Sequence, residues 1–315
     1  MLLVTGANGF VGRHLLATLQ TRGIATRRAL RAAPGAAAGD DAVVGELDAH
    51  TDWNPALQGV HTVVHLAGLA HVDPKSVPDP LATYRRVNTA GTLALADAAA
   101  RCGVTRFIFV SSVKVMGESS GARPYAVGDA PAPRDPYGIS KLEAEQGLAA
   151  FGGRMHVAIV RPPLVYGPGV RANFQKLMQL VARGTPLPLA SVGNRRSLVS
   201  VENLCDLLLR LATDPAAISG TFFVSDGEDL STPSLLRRVA SALGVPARLF
   251  PFPPGILAVA ARCIGKAEVA DRLLGSLQVD IGFTRERVGW EPPVPIDEAL
   301  ARTARWFLSA PQGFS

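Results

Sequence analysis

Three glycines spaced three apart, Gly6, Gly9 and Gly12, follow the apolar run Met1-Leu2-Leu3-Val4. A run that short and that apolar reads as a buried strand. Behind the glycines, Phe10, Val11, His14, Leu15, Leu16 and Leu19 recur at helical spacing. Strand, glycine turn and helix in that order build a phosphate-binding corner. Gly6 permits the tight turn, Gly9 lets the backbone approach a pyrophosphate, and Gly12 lets the helix pack close on the strand. The helix N-terminus then offers free N–H groups and the positive end of its dipole to the anion. The loop is therefore expected to contact a dinucleotide through Gly6, Asn8, Gly9, Phe10, Val11 and Gly12. Its spacing, Gly-x-x-Gly-x-x-Gly, differs from the Gly-x-Gly-x-x-Gly of the common dehydrogenase fingerprint.

The rest of the first half alternates strand and helix patterns. Strand patterns fall at 25–30, at Val43-Val44, at 62–66, at 106–110 and at 156–160. The second of the chain's strands is unusually polar, because it carries Arg27 and Arg28. Helical patterns cover 81–101 and 137–150, and 31–39 reads as a loop rich in Ala, Gly and Pro. This rhythm implies right-handed βαβ units and an α/β fold with a doubly wound parallel sheet of the Rossmann type. Ligands of such sheets sit beyond the carboxyl ends of the strands. After Arg161-Pro162-Pro163 the pattern loosens, with helical stretches at 173–183, 201–213, 232–243 and 254–274 and one more strand at 220–224. The expected division is a dinucleotide-binding domain over 1–165 with a return segment near 197–225. A smaller, mostly helical substrate domain then takes 166–196 and 226–315.

Composition removes several function classes. Apolar residues make up 48% and charged residues 18% of the 315 positions, which suits a packed globular protein and not a disordered one. The net charge is +6, yet the cations are scattered, with no Lys/Arg block and no zinc-finger spacing. That pattern favours an enzyme with anionic ligands over a nucleic-acid binder. Cys102, Cys205 and Cys263 lie far apart and form no metal or redox motif, and the histidines show no metal spacing. A reducing cytoplasm is the expected setting. No signal peptide is legible, and the apolar stretch 256–264, broken by Arg262, is too short to span a bilayer.

The chemistry gathers around 110–141. The strand ending at Val110 runs into Ser111-Ser112, and Asp135-Pro136-Tyr137-Gly138-Ile139-Ser140-Lys141 opens a helix. Tyr137 and Lys141 are four apart and share one helical face. A phenol with a pKa of about 10 is a poor base at neutral pH. A nearby ammonium and an oxidised nicotinamide both favour the phenolate, so this pair is expected to bring Tyr137 toward a working acid/base range. Ser112, at a strand end facing the same crevice, is placed to hold a substrate oxygen against Tyr137.

Together these motifs resemble the extended short-chain dehydrogenase/reductases, in the nucleotide-sugar epimerase/dehydratase branch. The matching residues are the glycine loop, His65-Leu66-Ala67-Gly68, Asn88 with Gly91-Thr92, Ser111-Ser112, Tyr137 to Lys141, Arg161-Pro162, Tyr166-Gly167-Pro168-Gly169 and Val288-Gly289-Trp290. The resemblance implies Tyr137 as acid/base, Lys141 as the ribose-holding and pKa-lowering lysine, and Ser112 as the residue that positions the reacting oxygen. It implies cofactor contacts at Leu66, Ala67 and Gly68, with Leu47 near the adenine. Relatives that prefer NAD carry an acidic residue after the second strand; here Arg31 stands there, with Arg28 as a second basic candidate. An arginine can pair with a 2′-phosphate, so the expectation is NADP(H) over NAD(H). Asn173, Arg196 and Arg272 are the expected contacts to the diphosphate of a UDP-sugar.

Two reactions at the sugar C4 share these residues. The leading expectation is a 4-keto-sugar reductase of the bacterial polysaccharide-sugar subgroup, and the alternative is a UDP-sugar 4-epimerase. Met116 departs from the Val-Tyr-Gly triplet of many epimerases. Val113-Lys114 stand where dehydratases carry Asp-Glu, which argues against dehydration. A non-sugar ketone reductase, or an NADP-binding protein without turnover, are the remaining alternatives. Homodimerisation is implied at the family level.

Overall fold

The computed structural model describes residues 1–32, 40–70, 77–263, 265 and 267–309, and of 267–269 the backbone alone. His71, most of the 31–39 loop and Ile264 thus lie outside the described residues.

Among the described residues, ten strands form two sheets. The strands are β1 (Leu2–Thr5), β2 (Thr26–Leu30), β3 (Ala42–Val43), β4 (Thr62–His65), β5 (Arg106–Val110), β6 (His156–Arg161), β7 (Leu164–Tyr166), β8 (Arg196–Ser200), β9 (Gly220–Phe223) and β10 (Asp229–Leu230). The main sheet is parallel throughout, in the order β3-β2-β1-β4-β5-β6-β9. Chain order reverses between β1 and β4, which pair in register from Leu2 opposite Thr62 to Thr5 opposite His65. Such a switch point opens a crevice at the strands' carboxyl ends.

The helices are α1 (Phe10–Thr21), α2 (Asn54–Leu57), α3 (Pro80–Tyr84), α4 (Gly91–Arg101), α5 (Pro136–Leu148), α6 (Ala172–Ala182), α7 (Val201–Thr213), α8 (Thr232–Leu243), α9 (Pro254–Cys263), α10 (Ala267–Leu274), α11 (Gly282–Val288) and α12 (Ile296–Ser309). The central strands are apolar on both sides, as a doubly covered parallel sheet requires. Their alternation divides the core. Leu2, Val4, Val64 and Ile108 face α1 and α7, whereas Leu3, Val63, Phe107 and Phe109 face α2, α4 and α5. A third core joins Tyr166, Phe174 and Met178 to apolar residues of α8 and α12.

Four features depart from the pattern read in the sequence. The 81–101 helix is interrupted by a π-helical stretch, Arg85–Ala90. The 254–274 stretch is two helices, with Gly265 at φ +69° between them. The second half also carries a small sheet, β10-β8-β7, so it is less purely helical than expected. β9 returns to the main sheet, but β8, from the same expected return segment, pairs with β7 and β10 instead. The polar β2 has a local cause: Arg27 donates to the carbonyls of Ala56 and Gln58, and Arg28 pairs with Asp41.

Candidate active site

The glycine turn closes against the end of β4. Gly6 has φ +66°, and a Cβ there would lie 2.8 Å from the Ala67 nitrogen. A Cβ on Gly12 would lie 2.2 Å from the Gly6 carbonyl oxygen. Only glycine fits either place, because no L side chain tolerates such approaches to backbone. Gly9 caps α1 without any side-chain hydrogen bond, so the first-turn N–H groups are not consumed by a cap. This cradle suits a dinucleotide pyrophosphate. The 167–169 loop leans over it: the His14 Nε2–H donates to the Pro168 carbonyl at 2.7 Å, and Phe10 meets His14 edge-on.

Beneath the turn runs a directed chain of buried hydrogen bonds. The Ala67 N–H donates to Thr5 Oγ1 at 3.1 Å, and Thr5 Oγ1 bonds His65 Nδ1 at 2.7 Å. His65 Nε2 bonds Thr92 Oγ1 at 2.9 Å, and that hydroxyl donates to the Asn88 carbonyl at 2.6 Å. The Thr92 proton is committed, so His65 carries its hydrogen on Nε2 and accepts from Thr5 on Nδ1. His65 is neutral: burial first, and the Lys141 charge second, push its pKa down to about 3. The chain fastens Leu66, Ala67 and Gly68, the expected cofactor contacts, to the sheet.

Asn88 sits on the π-helical stretch, whose widened turn aims it inward. Its side chain accepts from Leu69 N at 2.8 Å and donates to Leu69 O and Ser140 Oγ, each at 3.0 Å. It thereby ties the 66–69 segment to α5. The helix α5 begins where Asp135-Pro136 predicts: the Asp135 carboxylate accepts from the Gly138 N–H at 2.6 Å, and Pro136 occupies the first turn.

Ser112 and Tyr137 meet beyond the end of β5, and Lys141 lies one turn along α5. Ser112 follows β5 and caps a short 3₁₀ turn, accepting from Lys114 N at 3.2 Å. Its hydroxyl hydrogen-bonds the Tyr137 oxygen, which favours the phenolate, yet burial outweighs it and pushes Tyr137 up to about 12. The expected lowering by Lys141 is thus not what the protein groups alone produce. The reason is geometric. Lys141 is 3% exposed, donates to the Val110 carbonyl at 2.9 Å and lies 4.4 Å from the Phe109 ring centroid. Burial pulls its own pKa down to about 8, against the pull of Glu145.

Tyr137, Lys141 and Glu145 form a ladder along one face of α5. Glu145 makes a buried ion pair with Arg161 at 2.5 Å, and Arg161 also touches Met116 Sδ at 3.1 Å. Lys114 is clamped by Glu118 at 2.5 Å and Asp135 at 2.9 Å, locking the serine turn to the start of α5. Sequence reasoning left Thr5, His65, Glu145 and Glu118 without roles. The i, i+4, i+8 spacing of Glu145 and the place of His65 in the His65-Leu66-Ala67-Gly68 match were the two signals.

On the expected substrate side, Arg196 donates from one nitrogen to the carbonyls of Arg272 and Gly275, at 2.9 and 3.0 Å. The structure therefore brings Arg196 and Arg272 together, and burial pulls the Arg196 pKa down. Asn173 is exposed in the first turn of α6. Arg31 is exposed and paired with Glu46 at 3.6 Å. Leu47 packs partly into the core behind α4.

A family model for the NAD dependent epimerase/dehydratase family matches residues 2–224. A UDP-glucose 4-epimerase of Vibrio cholerae is 44% identical over 98% of this chain and 96% of its own. Among solved structures, MoeE5 in complex with UDP-glucuronic acid and NAD is 26% identical with a TM-score of 0.77, covering 97% of this chain and 98% of its own. The UDP-N-acetylglucosamine 4-epimerase of Bacillus cereus shares the fold, with a TM-score of 0.79 at 18% identity over 97% of this chain and 98% of its own. The glycine cradle fits the cofactor such a family requires, a nicotinamide dinucleotide. The chain is an enzyme of the NAD-dependent epimerase/dehydratase family, within the extended short-chain dehydrogenase/reductases.

Proposed function

We propose that this enzyme is a UDP-sugar 4-epimerase of the UDP-glucose or UDP-N-acetylglucosamine type, working on a retained NAD. The observation that carries this reading is the 44% identity to the Vibrio cholerae UDP-glucose 4-epimerase over nearly the whole of both chains. The hydrogen-bonded Ser112 and Tyr137 hydroxyls at the switch-point crevice supply the chemistry it needs. The glycine turn holds the pyrophosphate, and the 66–68 segment and Lys141 line the nicotinamide half. Bound there, an oxidised nicotinamide supplies the hydride acceptor and a positive charge that favours the Tyr137 phenolate. Ser112 holds the C4 hydroxyl while Tyr137 takes its proton. After the 4-keto sugar turns over and the hydride goes back to the other face of C4, Tyr137 would return the proton to the C4 oxygen. Arg196 and Arg272 grip the diphosphate, with Asn173 at the rim, and leave the sugar free to rotate.

The reading of NAD over NADP rests on Glu46, the partner of Arg31. Glu46 stands 3.6 Å from it and would repel a 2′-phosphate that Arg31 alone would attract. The 4-keto-sugar reductase is the second reading, and Met116 in place of the epimerase tyrosine is the observation that favours it. Heat-denaturing the purified protein and identifying the released nucleotide separates the two. The epimerase releases stoichiometric NAD. Protein that releases none, yet oxidises NADPH with a UDP-4-keto sugar, is the reductase.

A further inference from the structure

One surface of the molecule is unlike the rest. The helix α9 has no buried residue, although all but its last two positions, Arg262 and Cys263, are aliphatic, glycine or proline. Its outward positions, Ile256, Val259, Ala260 and Cys263, follow i, i+3, i+4, i+7 and are all exposed. Ile256 is 56% and Val259 59% exposed, and Phe250, just before the helix, is 43% exposed. Contiguous apolar exposure of this kind marks an interaction surface.

Charge identifies what covers it. From 230 to 267 the chain holds no Asp or Glu but five cations, Arg237, Arg238, Arg248, Arg262 and Lys266, of which Arg238 is paired with Glu228 and Asp297. Arg237, Arg248 and Arg262 are exposed. Apolar side chains flanked by cations, with no acid in between, match the boundary of an anionic bilayer, where headgroup charge and acyl chain meet. The same cations disfavour pairing of this patch with its copy on a second chain. Ten residues make a helix of about 15 Å, half the roughly 30 Å of a bilayer core, so α9 cannot cross one. Among the described residues no helix is long and apolar enough to cross a membrane.

We propose that α9, with Phe250 beside it, docks this enzyme on the surface of anionic membranes, lying flat in the headgroup region. The consequence reaches the site already described. The helix packs on α10, and the end of α10 supplies the Arg272 and Gly275 carbonyls that Arg196 holds. Docking through α9 thus acts on the helix next to the one whose end Arg196 holds. This inference does not depend on which sugar the enzyme takes.

The test is co-sedimentation of the full chain with vesicles of phosphatidylcholine alone and of phosphatidylcholine with phosphatidylglycerol. The expected result is binding to the anionic vesicles, weaker binding to the neutral ones, and release by high salt. Ile256→Glu with Val259→Glu reduces binding by about tenfold or more, since it puts charge where apolar contact is needed. That variant keeps the wild type's nucleotide-sugar turnover in solution. Arg262→Glu is the second probe; it weakens binding roughly fivefold to tenfold and flattens the salt dependence. The proposal is overturned if the wild type stays with neither vesicle. It is equally overturned if both variants bind as the wild type does, or if the double variant alters only the oligomeric state.

Discussion

Replacing His65 by Gln tests the buried chain under the glycine turn. Gln keeps one donor and one acceptor but does not titrate. His65 carries a pKa of about 3 in the fold against 6.5 when solvated. Between those values the unfolded chain binds a proton that the folded chain refuses. Stability therefore rises with pH across this window and is lost as pH falls through it. Each pH unit is worth about 1.4 kcal/mol, so the histidine alone withdraws roughly 4–5 kcal/mol by pH 3. Over the accessible part, from pH 7.5 to 5, the loss is about 2 kcal/mol. The variant starts lower at pH 7.5, by about 1–3 kcal/mol, because its hydrogen bonds are poorer. Urea unfolding at a series of pH values measures both. The wild-type advantage at pH 7.5 should shrink by about 2 kcal/mol at pH 5. A constant gap would mean that His65 is charged or solvated in the fold, and the directed chain from Ala67 to Asn88 would be wrong.

Four further substitutions probe the site. Tyr137→Phe should lower kcat by about 10²–10⁴-fold with the cofactor still bound, because only the proton transfer is removed; Ser112→Ala should cost about tenfold to a hundredfold. Gly12→Ala should lose cofactor and destabilise the chain by about 3 kcal/mol or more, since its methyl meets the Gly6 carbonyl oxygen; cofactor content after purification and thermal melting report both effects. Glu145→Gln leaves Arg161 buried without its counter-charge and should cost about 3–5 kcal/mol in urea unfolding. The same change removes the group that opposes the lowering of the Lys141 pKa, so an alkaline limb of the rate profile that reports Lys141 should move to lower pH.

The parts of this molecule legible in its sequence are those where backbone sterics or a short repeat decide the outcome. Gly6 and Gly12 announce the turn because nothing larger fits there. Asp135-Pro136 marks the start of α5 because capping is local. Tyr137 and Lys141 share a face by spacing alone. What stayed hidden depends on contacts far apart in sequence. The role of His65 rests on Thr5 and Thr92, sixty and twenty-seven positions away. Burial, which no local pattern reports, outweighs the Ser112 hydrogen bond at Tyr137, so the protein groups alone push its pKa up. The split of the 254–274 helix turned on Gly265, whose left-handed φ ends a run that periodicity carried through. Pairing of Arg196 with the end of α10 likewise needed the chain to be folded before it could be seen.

The most direct measurement incubates the purified enzyme with UDP-glucose, and separately with UDP-N-acetylglucosamine, without added nicotinamide, and follows the anomeric signals by NMR. The account predicts that the C4 epimer of one of them accumulates to a fixed ratio while the nicotinamide absorbance stays constant. No epimer from either sugar, together with one-for-one loss of NADPH on a UDP-4-keto sugar, would contradict it.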